Sequence, residues 1–595
     1  MRKKFAIFLL IATIAGFLGV VARCFYLQDY KADYYYQSSQ KSQKATFLEK
    51  SRRGAILDCR GRILAASYKV DTVFAEPQAV INNLNETAKE LSEIIGVSPS
   101  EISKSVLTSR NTGYAPIISD AKLTDSQRNQ ILKLHGIGIE SKWKRFYPLG
   151  SVAAHVVGFV GTDDEGLAGL ELKYNAELSG TAGKSTFFAD AARRPVRLGQ
   201  CESFAQDGSD MILTLDSTIQ EFTHTALSKQ VKEFQADSGV AIVMNPYTGG
   251  VLALVSLPDF DPADLSDVNK KNLGNHAISD PYEPGSIFKP FVAAWAVETG
   301  TVSPNTTIYC ENGSYSGHGF GTIGEYRNGY GNLKIGEILC HSSNIGMAKI
   351  GQKMGAKKTY EGVKLFGFGR KTDIDLPGED EGVVWNYTQW TGYSVARVPF
   401  GHEVSVTAMQ MACAFCALVN DGKGIKPHLG MAVISDAGEK VKRIEPAQTG
   451  GFIISDKTAK WIVRDALVSV VNEGTGKKAA MEKWQVFGKT GTANIAHTGT
   501  RGYDEQNYVA SFVGGAPAEK PAVIVLVSIR KPNKSLGKGY TGGAVAAPVA
   551  AEILQSTLTY MKIPGKELPP EDDKKGNKAQ PAKTKTAASI PLPAD

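Results

Sequence analysis

Ser286 and Lys289 stand three residues apart in Glu283-Pro-Gly-Ser-Ile-Phe-Lys-Pro290. On a helix that spacing puts both side chains on one face, about 5–6 Å apart at Cβ, so the lysine amine can reach the serine hydroxyl. Pro284 and Gly285 make a sharp entry, which sets the serine at a helix N-terminus, beside free backbone N–H groups and the positive end of the dipole. A serine nucleophile needs a base and an oxyanion site, and a desolvated lysine with a lowered pKa can be that base. Ser342-Ser343-Asn344 offers a hydroxyl and a carboxamide two residues apart, able to pass a proton and to bind an amide. Lys489-Thr490-Gly491-Thr492 offers a cation and two hydroxyls, with Gly491 letting a substrate backbone approach closely. Each motif alone is weak. The first also reads as a capped helix with a solvated lysine, the second as a polar turn, and the third as one of many such turns. What carries weight is their order, with a helix at the first and a strand at the last.

Those elements can be read from the surrounding pattern. The apolar run after Lys289 continues as a helix to Gly300, and Leu333 to Leu339 is a helical stretch that ends at Ser342. Trp484 to Gly488 leads into Lys489 as a strand. Met211 to Leu215 reads as a strand, and Ile219 to Phe234 has helical spacing. Gly239 to Met244 reads as a buried strand, joined through the Asn245 to Gly250 turn to a hairpin partner at Val251 to Val255. Tyr508 to Val513 and Ala522 to Ile529 add two more strands. Strands at both ends and helices between them predict one domain over 207–563, its sheet built from both termini and covered by helices. Residues 23–206 are short-segmented and mixed, an elongated α+β module. From residue 564 to 595, Lys, Pro, Ala and Asp dominate and aromatics vanish, so a disordered tail is expected.

At 595 residues the chain exceeds one ordinary core. It is 42% hydrophobic and 21% charged, the make-up of a folded protein. A net charge of +7 with no basic-aromatic interleaving gives no reason to expect nucleic acid as a partner. Nine scattered histidines, no H-E-x-x-H and no paired cysteines at zinc spacing predict no metal and no cofactor. Arg2, Lys3 and Lys4 precede an apolar run, residues 5–22, broken only by Thr13. Eighteen residues reach roughly 27 Å, enough for a bilayer core. The basic cluster places residues 1–4 in the cytoplasm and everything after Arg23 outside. Val20 and Ala22 could serve a signal cleavage site, but the run exceeds the roughly 7–15 residues of a signal core, which favours an uncleaved anchor. Seven cysteines fix no pairing. Cys413 and Cys416 sit in an apolar helical stretch and read as packing, while Cys310 and Cys340 could pair in an oxidising compartment.

The ordered set S-x-x-K, S-x-N and K-T-G resembles that of penicillin-binding proteins and serine β-lactamases. The likeness extends to Asn275 through Pro290, to Val251-Leu-Ala-Leu, to Leu257-Pro-Asp-Phe-Asp-Pro and to Val404-Ser-Val-Thr, which are similar to class B penicillin-binding proteins. Arg53-Gly-Ala-Ile-Leu-Asp58, Arg145-Phe-Tyr-Pro, Gly169-Leu-Glu171 and Tyr174-Asn175 resemble the pedestal domain of the same family. The resemblance implies a transmembrane helix, a pedestal and a transpeptidase domain with an antiparallel sheet. It also implies a peptidoglycan D,D-transpeptidase. Ser286 would attack the D-Ala-D-Ala bond of a stem peptide, Lys289 would take its proton, and Ser342 would protonate the leaving D-alanine. Asn344 would bind the donor amide and Lys489 would supply charge. Thr490 and Thr492 would bind the terminal carboxylate, or that of a β-lactam, and the N–H groups of Ser286 and Thr492 would form the oxyanion hole. Tyr-Glu-Pro-Gly-Ser and Gly169-Leu-Glu resemble the division-specific branch, which implies a polytopic membrane glycosyltransferase and other division proteins as partners. Two departures stand out: Cys59 where an arginine is expected, and Gly401-His402-Glu403 before Val404. The alternatives are an elongation-type transpeptidase, a β-lactam sensor or β-lactamase, and a division scaffold with little catalysis. A β-lactamase would need a deacylating base that no motif supplies, and a scaffold would not need Ser286, Lys289 and Lys489 together.

Overall fold

A computed structural model describes residues 2–189, 195–325, 329–435, 441–444, 451–497 and 502–566. The N-terminal helix Arg2–Phe25 has no buried residue. With the turn after it, to Tyr30, it is long and apolar enough to cross a membrane, its most apolar eighteen residues having mean hydropathy 2.6.

The module that follows is built on the thirteen-residue strand Ile63–Ala75, paired antiparallel with Ile137–Phe146 and Ala115–Ala121. Helices Leu84–Ile95, Pro99–Thr108 and Asp125–Ile131 cover it. They put Leu91, Ile102 and Ile131 against Val73 and Ala75. The second of these helices starts where it does because Ser98 accepts the Glu101 N–H and Pro99 occupies the first turn. The run Met211 to Leu215, which the sequence pattern assigns to the catalytic sheet, forms the strand Asp210–Leu213. It instead runs parallel to Ile56–Leu57 and antiparallel to Gly430–Ile434, so one seven-stranded sheet joins the module to the catalytic domain.

The catalytic sheet has five antiparallel strands in the order Val251–Leu257, Ser238–Met244, Val523–Arg530, Tyr503–Ala516 and Phe487–Ala496. The central strands are buried on both faces, and their alternation sorts side chains between two layers. Ala241, Val243, Val525 and Val527 meet helices Ser217–Glu233 and Gly542–Tyr560. Val240, Ile242 and Leu526 meet the layer containing Phe291, Met409 and Phe415. Truncating one such aromatic, as in Phe291→Ala, costs about 3–5 kcal/mol. The strand carrying Lys489 lies at the sheet edge, with one side unpaired by any strand among the described residues.

Cys310, Cys340, Cys413 and Cys416 are free thiols. Cys340 Sγ contacts the Ser469 carbonyl at 3.4 Å, and Cys413 and Cys416 pack on helix Ala408–Val419. The Lys566 N–H still reaches the Lys483 carbonyl at 2.7 Å, within the segment expected as tail. The remainder of that expected tail, 567–595, lies outside the described residues.

Candidate active site

Ser286 lies in a 3-10 turn, Gly285–Phe288, that runs into the α-helix Lys289–Glu298. Gly285 has φ +55°, and the chain there touches Gly401, where an added Cβ would lie 2.2 Å from the Gly285 carbonyl oxygen. This close approach holds the turn. The hydroxyl faces a cavity of about 330 Å³ that is also lined by Ser342, Asn344, Thr490 and Thr492. Among the described residues the Ser286 hydroxyl makes no hydrogen bond, so the expected direct link to Lys289 is not formed here.

Lys289 is instead committed to the second motif. Its Nζ donates to the Ser342 carbonyl at 2.5 Å, to Ser342 Oγ at 3.2 Å and to Asn344 Oδ1 at 2.7 Å. That carbonyl is presented because Ser342 ends one helix in the left-handed region, φ 61°, and Ser343 caps the next, Asn344–Met354. A non-glycine residue there is strained, which is common at functional sites. Ser342 Oγ also receives Lys489 Nζ at 2.9 Å, so one hydroxyl bridges two buried amines.

Burial of an ammonium without a carboxylate at contact distance disfavours its charge. Desolvation, then the neighbouring Lys489 cation, hold Lys289 well below the usual lysine range, against a smaller pull from Glu325. Burial brings Lys489 down to about 7. Two amines that are readily neutral, flanking a hydroxyl, can accept and relay protons.

The edge strand brings Thr490 and Thr492 to the same cavity. Thr490 Oγ1 is 2.5 Å from Thr475 Oγ1, and Thr492 Oγ1 accepts the Gly542 N–H at 3.1 Å. Gly491 has a use beyond substrate access. A Cβ there would lie 3.0 Å from Ile287 and 3.1 Å from the Pro284 carbonyl oxygen, so its missing side chain lets the strand pack onto the turn that carries Ser286.

Several lining residues carried no sequence signal. Glu325 accepts Ser343 Oγ at 2.5 Å and the N–H groups of Asn344 and Ile345 at 2.9 and 3.1 Å. It thereby caps the helix that carries Asn344. Glu325 follows an irregular Gly-rich stretch with no periodicity to mark it. Thr475 sits in an equally plain Glu-Gly-Thr-Gly turn. No group of His, Cys, Asp and Glu suited to a metal occurs among the described residues.

A helix-covered antiparallel sheet, with a serine, two buried lysines and an edge strand around one cavity, defines a serine acyl-transfer domain of the penicillin-recognising class. Residues 239–555 match the penicillin-binding protein transpeptidase domain, and residues 48–213 match the penicillin-binding protein dimerisation domain. The chain belongs to the class B penicillin-binding proteins. It is 32% identical to stage V sporulation protein D of Bacillus subtilis, over 94% of this chain and 86% of that protein. It is 28% identical to peptidoglycan D,D-transpeptidase FtsI of Escherichia coli, over 86% of this chain and 84% of that one. Among solved structures it is similar to penicillin-binding protein 3 of Mycobacterium tuberculosis in complex with aztreonam. That likeness has a TM-score of 0.68 at 26% identity and covers 87% of this chain and 98% of that chain.

Proposed function

We propose that the protein is a division-type peptidoglycan D,D-transpeptidase working through an acyl-enzyme on Ser286. The observation that carries this reading is the cavity that gathers Ser286, Ser342, Asn344, Thr490 and Thr492 above two buried lysines whose amines meet at Ser342 Oγ. Ser286 Oγ attacks the carbonyl between the terminal D-alanines of a stem peptide. Lys289, after a small movement of its amine from Ser342 and Asn344, takes the hydroxyl proton. Ser342 passes a proton to the departing D-alanine nitrogen, relayed from the lysines on either side. Asn344 binds the donor amide, while Lys489, Thr490 and Thr492 hold the terminal carboxylate. Backbone N–H groups of Ser286 and Thr492 steady the oxyanion. The unpaired side of strand Phe487–Ala496 suits an extended peptide laid alongside it. A β-lactam would occupy the same site as a donor mimic.

The helix Arg2–Phe25 anchors the chain with its basic N-terminus inside and the catalytic domain on the outer face. A polytopic membrane glycosyltransferase, together with other division proteins, is the expected partner of anchor and pedestal. The test is to supply the full chain in detergent with a D-Ala-D-Ala stem peptide and an acceptor amine, following D-alanine release and cross-linked product by mass spectrometry. Both are expected from the wild type and neither from Ser286→Ala. Product from Ser286→Ala, or none from the folded wild type, would overturn the reading.

A further inference from the structure

A second polar cluster stands on the wall of the same cavity, outside the three motifs. His402 lines the cavity with Ser286. Its Nδ1 lies 3.1 Å from Glu283 Oε2 and 3.3 Å from the Tyr503 hydroxyl. Tyr503 donates to Glu283 Oε1 at 3.2 Å, and that oxygen also accepts the Glu403 N–H at 2.9 Å. Phe400 packs its ring edgewise on the imidazole, 5.2 Å between centroids. Glu283 Oε2 is buried, and the His402 imidazole is the group that meets it. A buried acceptor without a donor is costly, and more so when it is charged. An imidazole with its proton on Nδ1 gives that oxygen its donor and leaves the lone pair of Nε2 free. Nε2, which makes no hydrogen bond among the described residues, is then the ring atom open to receive a proton.

The second half of a transpeptidation needs such a group. The acceptor arrives as an ammonium and ends as an amide, so its nitrogen loses two protons. Lys289 can return one of them to Ser286 Oγ as the ester breaks, and the other goes to a second acceptor that faces the incoming amine. Beyond Glu283 lies a groove of about 650 Å³ lined by Trp385, Trp390, Glu283 and Glu403. Its two carboxylates and two aromatic faces suit an approaching cation.

We propose that His402, oriented by Glu283 and Tyr503, is the proton acceptor for the acyl-acceptor amine, which enters along the Trp385–Glu403 groove. The inference rests on the transpeptidase reading above. Nε2 takes the first proton from the ammonium. The free amine attacks the acyl carbonyl, the new C–N bond forms and the C–Oγ bond breaks. The second proton passes through Lys289 to Ser286 Oγ, and His402 releases the first to solvent. The titratable groups facing the imidazole are Glu283, Tyr503 and, further off, Glu403. Burial, and then Glu283, hold the Tyr503 phenol above its ordinary range, so it stays a neutral donor.

The test compares wild type with His402→Gln, whose amide can still donate to Glu283 but cannot take a proton. Acylation by a fluorescent penicillin and transfer from a thioester stem-peptide mimic to a D-amino acid are each timed from about pH 6 to about pH 10. The expected loss falls on transfer, on the order of 100-fold at neutral pH. It shrinks as the pH nears about 10, where an amine sheds its own proton. Transfer at the wild-type rate, or acylation and transfer falling together at every pH, would overturn the inference. A wild type that neither labels nor transfers instead removes the transpeptidase reading, and the inference with it. Should His402→Gln fail to fold, His402→Ala with added imidazole makes the same test. Restored transfer is expected, and no restoration overturns the proposal.

Discussion

Buried charge is handled in opposite ways in the pedestal and in the catalytic domain. In the pedestal, Glu171 sits between two arginines, with Arg53 Nε at 2.6 Å and Arg145 Nε at 2.7 Å. Arg53 spends its remaining donors on Asn175, Ser179 and two backbone carbonyls. Arg145 adds Gly54 and Ser67. In the catalytic domain Lys289 and Lys489 are equally buried, yet among the described residues neither amine has a carboxylate at contact, and they share only Ser342 Oγ. A cluster of opposite charges joined by hydrogen bonds fixes a fold. An unmatched pair of like charges gives up protons easily, which is useless for stability and suited to acyl transfer.

Substitutions can break each side of this contrast. The largest effect is expected for Lys289→Ala, with penicillin acylation slowed on the order of 1000-fold or more while the thermal unfolding curve survives. Glu171→Met should do the reverse. Leaving two arginines buried without their partner costs about 3–5 kcal/mol, read by denaturant unfolding, while the molecules that remain folded acylate normally.

Lys489→Met removes an unmatched amine and should raise stability by about 1–4 kcal/mol at pH 6 while lowering acylation. Its sign is set by linkage. Lys489 titrates near 7 in the folded protein and near its ordinary value of about 10.4 when unfolded. Between those values the unfolded chain binds more protons, so wild-type stability rises with pH across that window. The variant should lack this rise, and paired melts at about pH 6 and about pH 9 would show it. Smallest is Glu325→Gln, which keeps one of the two accepting oxygens of the helix cap and removes its charge. About a tenfold fall in acylation is expected through looser placement of Asn344.

Much of this was legible beforehand, and what was not has physical reasons. The strands Ser238–Met244, Val251–Leu257 and Val523–Arg530 announce themselves by continuous apolar runs, because both faces are covered. The motif residues declare a common cavity only as a set, since each triplet alone is ordinary. Asp210–Leu213 looked like any strand, and nothing local says that it pairs with Ile56–Leu57 across the module boundary. Arg53, Arg145 and Glu171 were visible as family-like motifs, but their convergence on one buried network depends on contacts more than ninety residues apart. Glu325 and Thr475 stayed hidden because loop residues carry no period. His402 and Cys59 were noticed as departures. Only the structure shows that the first faces the cavity, whereas the second lies beside Asp216, which Arg60 and Arg62 already pair.

The central claim is that one serine, served by two unmatched lysines, is the nucleophile. Intact-mass and peptide mapping after incubation with a penicillin tests it most directly, on wild type and Ser286→Ala side by side. A single adduct on the peptide containing Ser286, absent from the variant, is the predicted result. An adduct that persists in Ser286→Ala, or that maps to another peptide, would contradict it.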